Sequence, residues 1–115
     1  MQSTLILKDL LNITSLQEEL PWQPFRDGVE IYRLYGDGTS AAAALLRYQP
    51  LAKVPKHAHQ GFEHVFVLSG SQTDENGEHL AGTLVINPPQ SNHSITSVSG
   101  CIVLVIWEKP ISIWS

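Results

Sequence analysis

A single cysteine, Cys101, stands in a chain of 115 residues. One thiol excludes an internal disulfide and a zinc site built from thiolates. It falls in the apolar run CIVLVIW, where a thiol reads as a small buried hydrophobe. Charge is sparse as well: 16% of residues are Asp, Glu, Lys or Arg, the formal net charge is −4, and no run of Lys or Arg occurs. The electrostatic footprint of a nucleic-acid or anionic-membrane partner is missing, so neither is expected. The longest apolar stretch, Cys101 to Trp107, is far short of the ~20 residues that span a bilayer. The opening MQSTLILKDLLN lacks the basic and long apolar regions of a signal peptide. The expectation is a cytoplasmic protein.

What the chain does have is 43% apolar residues with eight Gly and seven Pro spread along it. That punctuation favours many short strands over a few long helices. The length suits one domain over residues 1–115, with an N-terminal arm over 1–28, a core over 29–109 and a tail over 110–115. Val29 to Leu34 alternates like a strand, and the Asp37-Gly38 pair after it reads as a tight hairpin turn. The return, residues 40–49, is then a strand, although Ala41 to Ala44 taken alone favours helix. Residues 20–25 should be extended, because Pro21 and Pro24 push the residues before them out of the helical region. Upstream, two readings stay open: a short helix opened by a Ser15/Glu18 capping box, or an edge strand over residues 4–7.

Beyond residue 55 the pattern sharpens. Strands are expected at Lys56 to Gln60, Glu63 to Leu68, Thr83 to Asn87, Asn92 to Ser97 and Cys101 to Trp107. Gly61-Phe62 should turn, Ser69-Gly70 should end a strand, and Asp74 to Glu78 should form a hairpin carrying Asn76-Gly77. Short strands at such intervals indicate an all-β sandwich or barrel. The tail, with Ile111, Ile113 and Trp114, is expected to dock on the barrel or on another subunit.

Chemistry concentrates in four residues. His57 and His59 lie two apart on a strand, so their rings share a face roughly 6–7 Å apart at Cα. Glu63 follows a short turn and can return beside them. His93 can reach the same interior once the sheet rolls up. Three imidazoles and a carboxylate suit zinc, iron, nickel, manganese or copper, and are too nitrogen-rich for calcium or a dedicated magnesium site. His64 falls on the face opposite Glu63 and His79 sits in a turn, so both read as non-ligands.

These residues resemble the two cupin motifs. The first has the form G-x5-HxH-x3,4-E-x6-G, and here His57-Ala58-His59 is followed by Glu63 and Gly70, with Leu51 in the place of the leading Gly. The second has the form G-x5-PxG-x2-H-x3-N, and here Gly82 leads to Pro88-Pro89-Gln90, His93 and Ser97, with Gln90 and Ser97 replacing Gly and Asn. The stretch from Val54 to Pro110 is similar to the cupin domain of the anti-sigma factor ChrR and its relatives, in PKHAHQGFEH, VLSG, TDENGEHLAGT, NPPQSNH and SGC. His64 departs from that group, which commonly carries a second Glu there.

The resemblance implies an all-β double-stranded β-helix, or jelly-roll sandwich, with a metal held by His57, His59, Glu63 and His93. Zinc is the foremost ion, with iron, nickel or manganese as alternatives. It leaves two functions open. One is an enzyme, a dioxygenase-type oxidoreductase acting on a small molecule at the metal. Its pocket would be lined by Val65, Val67, Ile95 and one parity of Val103, Leu104 and Val105. The other is a metal-dependent sensor or regulatory module with a protein partner. The full anti-sigma factor grips its sigma factor with a separate N-terminal helical domain. Here the residues before the motif read as strands, so direct anti-sigma activity is not expected. A homodimer through edge strands is expected.

Overall fold

The computed structural model describes residues 3–37 and 39–113, with backbone alone for Ile111–Ile113. Ten antiparallel strands follow a short helical segment: β1 (Gln23–Arg26), β2 (Val29–Tyr35), β3 (Ala42–Tyr48), β4 (Ala52–His59), β5 (Glu63–Asp74), β6 (Gly77–Leu80), β7 (Leu84–Asn87), β8 (Asn92–Ser97), β9 (Cys101–Trp107) and β10 (Ile111–Ile113). One sheet runs β1-β2-β3-β9-β5-β7, and the other β10-β4-β8-β5-β6. The long β5 belongs to both. Its first half pairs with β9 and β7, and its second half with β6 and, at Thr73, with β8. The result is the expected all-β sandwich, closed on itself by one bent strand.

The interior between the sheets follows from two-residue alternation. Val65 and Val67 of β5, Val103, Val105 and Trp107 of β9, Ala44 and Leu46 of β3, and Val54 and Ile95 of the second sheet form one buried cluster. Ala42 to Ala44 join a strand despite their helical propensity because β3 is paired on both edges and covered on both faces. Small side chains cost little there, and tertiary packing outweighs propensity. Cys101 is buried as expected, and burial pushes its thiol up to about 11.

Upstream of β1, a helical turn α1 (Ile13–Leu16) is flanked by 3-10 turns at Leu10–Asn12 and Gln17–Glu19. Neither upstream reading is met as stated. Residues 4–7 form no strand, and Ser15 lies inside α1 rather than capping it. The segment is placed by burial of Ile13, 1% exposed, against Leu45, Leu68 and Ile102 on the outer face of the first sheet. Burying a large aliphatic side chain is worth about 2–3 kcal/mol, which exceeds the ~1 kcal/mol of a cap. Of residues 20–25, Leu20 and the stretch from Gln23 on are extended as expected, and Arg47 stacks on Trp22 at 4.6 Å while pairing with Glu30.

Four boundaries differ from the sequence reading. The last β2–β3 pair is Tyr35 with Ala43, so the connection between them is longer than a tight two-residue Asp-Gly turn. Its Gly38 lies outside the described residues, as does Trp114 of the tail. β4 begins at Ala52, and β5 runs on through Ser69-Gly70 to Asp74. Both extensions pass through bulges, where one extra residue is absorbed without ending the strand. The hairpin after β5 is present, but Glu75 and Asn76 form its loop and Gly77 already pairs with Asp74.

Candidate metal centre

Both bulges decide which side chains face inward. In β4, Ala52 and Val54 are buried, and then the register slips between Val54 and His57. Pro55 lies in the slip, and a proline, which has no N–H to give a ladder, is tolerated at such a point. The slip moves the buried set from even to odd positions, so His57 and His59 turn inward. His93 of β8 pairs directly with His57. Glu63 opens β5, flanked by Asn87 at the end of β7 and Trp107 at the end of β9.

These positions bring the four predicted residues together. One donor atom from each of His57, His59, Glu63 and His93 lies within 4.8 Å of the others, and the residues are only 2–3% exposed. Nε2 of His57 and Nε2 of His93 are 2.8 Å apart. Nε2 of His59 is 3.1 Å from Oε1 of Glu63, yet it lacks the alignment of a hydrogen bond and has no other partner. An orphaned, buried imidazole nitrogen beside three further converging donor atoms is what a shared cation would satisfy.

The surroundings orient each group. Nδ1 of His57 meets the Pro55 carbonyl at 3.1 Å. Nδ1 of His59 lies 2.9 Å from Oγ of Ser91, whose hydroxyl donates to the Pro88 carbonyl at 2.6 Å. With that hydroxyl proton spent, Oγ accepts from the ring, which leaves Nε2 of His59 unprotonated and facing inward. Glu63 accepts from Asn87 Nδ2 at 3.0 Å and from Trp107 Nε1 at 2.7 Å. Burial pushes its carboxyl upward, but the nearby His59 and His93 rings and the hydrogen bond from the Trp107 indole outweigh that, and it sits below the ordinary value. Burial lowers both His57 and His93, which favours the neutral rings that metals bind.

Beside the cluster, His57 and Glu63 share a cavity of about 20 Å³ with Tyr48, Gln72 and mostly apolar side chains. Of the expected lining, Val65, Ile95, Val103 and Val105 are on its wall. Val67 is buried in the same core away from the wall, and Leu104 packs on the outer face. Tyr48 and Gln72 escaped the sequence reading, as did Asn87, Trp107 and Ser91 around the donors. His64 is half-buried beside Glu63 on the strand's opposite face, and His79 pairs with Asp74 at 3.0 Å instead of joining the cluster.

A jelly-roll sandwich with a buried His-His-Glu-His cluster on β4, β5 and β8 is the architecture of a cupin. The chain belongs to the ChrR cupin-like domain family, whose sequence model matches residues 12–109. No curated protein sequence matches significantly. Among solved structures, the chain is similar to the Rhodobacter sphaeroides SigE complex with the anti-sigma ChrR, at 28% identity and TM-score 0.70, over 83% of this chain and 54% of that one. It thus spans about half the length of that relative. In fold it also resembles an acetylacetone dioxygenase from Acinetobacter johnsonii, at 13% identity and TM-score 0.78, over 100% of this chain and 79% of that one. An RmlC-like cupin from Ralstonia eutropha JMP134 matches at 20% identity and TM-score 0.75, over 85% and 69%. Among the described residues, no helix is long and apolar enough to cross a membrane.

Proposed function

We propose that the chain holds one divalent cation, zinc foremost, through His57, His59, Glu63 and His93, and works as a metal-dependent sensor or regulatory module. The observation that carries this reading is the closed site. Four buried donors converge, and the adjoining cavity, about 20 Å³, has room for roughly one water-sized molecule. A cavity of that volume is smaller than a diketone or a comparable organic substrate. A metal with four protein ligands in a buried site suits a structural or signalling role. The likeness to ChrR, solved with its partner SigE, supports a protein partner for this module.

The second reading is a dioxygenase-type oxidoreductase. It is favoured by the contact of the cavity with both His57 and Glu63, which would set a small exogenous ligand against the metal. Iron in such a site supplies oxygen chemistry and zinc Lewis acidity. A homodimer and a cytoplasmic location complete the proposal. Free edge β7, with Leu84 and Ile86 more than half exposed, supports the dimer, and the free thiol of Cys101 suits a reducing compartment.

Elemental analysis of the purified protein should give one metal equivalent per chain, and His93→Ala should lose it. Iron, nickel, manganese and zinc forms should all leave diketones and hydroxyaromatic ketones unchanged. Turnover by any form would transfer the assignment to the enzyme, and a wild-type protein that binds no metal would remove both readings.

A further inference from the structure

Each imidazole of the cluster turns Nε2 inward and Nδ1 outward, but the outward partners are unequal. His57 faces a carbonyl and His59 a hydroxyl, both neutral. His93 faces a carboxylate: its Nδ1 is buried, makes no hydrogen bond, and lies 3.7 Å from Oδ2 of Asp74. The Asp74 side chain is 1% exposed, and its other oxygen is fully engaged. Oδ1 accepts the Asn76 N–H at 2.8 Å and pairs with Nε2 of His79 at 3.0 Å. Asn76 and His79 belong to the β5–β6 hairpin, which is thereby folded around the carboxylate. One oxygen is held by the hairpin, and the other is left for His93.

We propose that Asp74, held by His79 and the Asn76 amide, is a positioning residue of the metal centre that fixes the ring of His93. The inference rests on the metal reading above. A neutral imidazole carries one proton, so a cation on Nε2 confines that proton to Nδ1. Nδ1–H then becomes a buried donor with the Asp74 carboxylate beside it. A ring shift of about 1 Å brings the 3.7 Å separation to the ~2.8 Å of a charge-assisted hydrogen bond. That bond orients the ring and increases the donor strength of Nε2. His79, with its side chain 16% exposed, links the buried carboxylate to the surface of the hairpin. His93 is then the ligand whose hold on the ion answers to a segment outside the cluster.

The test compares Asp74→Ala, Asp74→Asn and His79→Ala with the full-length wild type. It uses zinc competition titrations, cobalt(II) ligand-field spectra and histidine-ring nitrogen NMR of the zinc form. Asp74→Ala should lose about 10–100-fold in zinc affinity. Asp74→Asn, which keeps size and one acceptor oxygen, should lose less, and His79→Ala least. In all three the ring nitrogen signals of His93 should move while those of His57 and His59 hold. A merely structural role would lower the melting temperature of the metal-free protein and leave the cobalt spectrum and the His93 signals in place. Wild-type zinc affinity with an unchanged His93 Nδ1 signal in Asp74→Asn overturns the proposal. Should Asp74→Ala fail to fold, Asp74→Asn and His79→Ala decide. A wild type that binds no zinc or cobalt sinks the metal reading itself and this inference with it, a result distinct from three variants that all bind as wild type does.

Discussion

Leu51 and Gln90 stand where the two cupin motifs carry glycine, and both keep the backbone such a glycine would adopt, with φ of 69° and 71°. A side chain there costs about 1–2 kcal/mol. Gln90 shows what maintains the strain. Its N–H bonds to the His59 carbonyl at 2.7 Å, and the turn it completes presents Ser91 to the His59 ring. Leu51→Gly and Gln90→Gly should each stabilise the fold, by about 1 kcal/mol after the added flexibility of the unfolded chain, measured by urea unfolding of the metal-free protein. The histidines give a second residue-level expectation. Burial holds His57 and His93 below their ordinary value, so between roughly pH 6.5 and their lowered values the unfolded chain binds protons that the folded one refuses. The metal-free protein should lose stability as pH falls from 7 to 5, with the slope reduced by replacing either ring with Gln. The His57–His59 pair was legible from spacing, because HxH on a strand shares a face, while Glu63 and His93 gained their place from the likeness to the cupin motifs. Asn87, Trp107 and Ser91 were not, since nothing in a lone polar residue says which buried group it will meet.

At the scale of elements, the two bulges separate what was readable from what was not. Alternation predicts the inward set of a strand only while the count is unbroken. In β5 the inward residues are Glu63, Val65 and Val67 before the slip at Ser69, and Gln72 and Asp74 after it. Reading Ser69-Gly70 as a strand end hid both. Gly70 carries φ of +72°, and a Cβ on it would overlap the Gly100 carbonyl oxygen. Glycine therefore signals a bulge as readily as a stop. Gly70→Ala should cost more than 2 kcal/mol in unfolding free energy, because it combines backbone strain with a steric conflict. It should also weaken zinc binding, since Asp74 lies downstream of the bend. Unfolding and zinc titration of the same variant check both. By contrast β9 matched its expected bounds, Cys101 to Trp107, because a central strand buried on one face and half-covered on the other shows as one apolar run.

For the whole molecule, the donors sit on β4, β5 and β8, so one ion would join strands far apart in sequence. A ligand that binds only the folded chain stabilises it by about 4 kcal/mol at a thousand times its dissociation constant. A strong chelator should accordingly lower the melting temperature by many degrees, and added zinc should raise it in a concentration-dependent way. A melting temperature indifferent to both would leave the cluster without a metal role. The sandwich itself was legible because turn residues break the chain at short intervals. The pairing of β10 with β4 was legible only as a tail that docks, because its partner strand is set by tertiary register and not by local pattern. Ile111, Ser112 and Ile113 pair with His59, Ala58 and His57. Residues Ile111–Ile113 are thus the outer rail of the strand that supplies half the donors. Peeling that rail away would bare a row of unsatisfied amides and carbonyls directly behind His57 and His59.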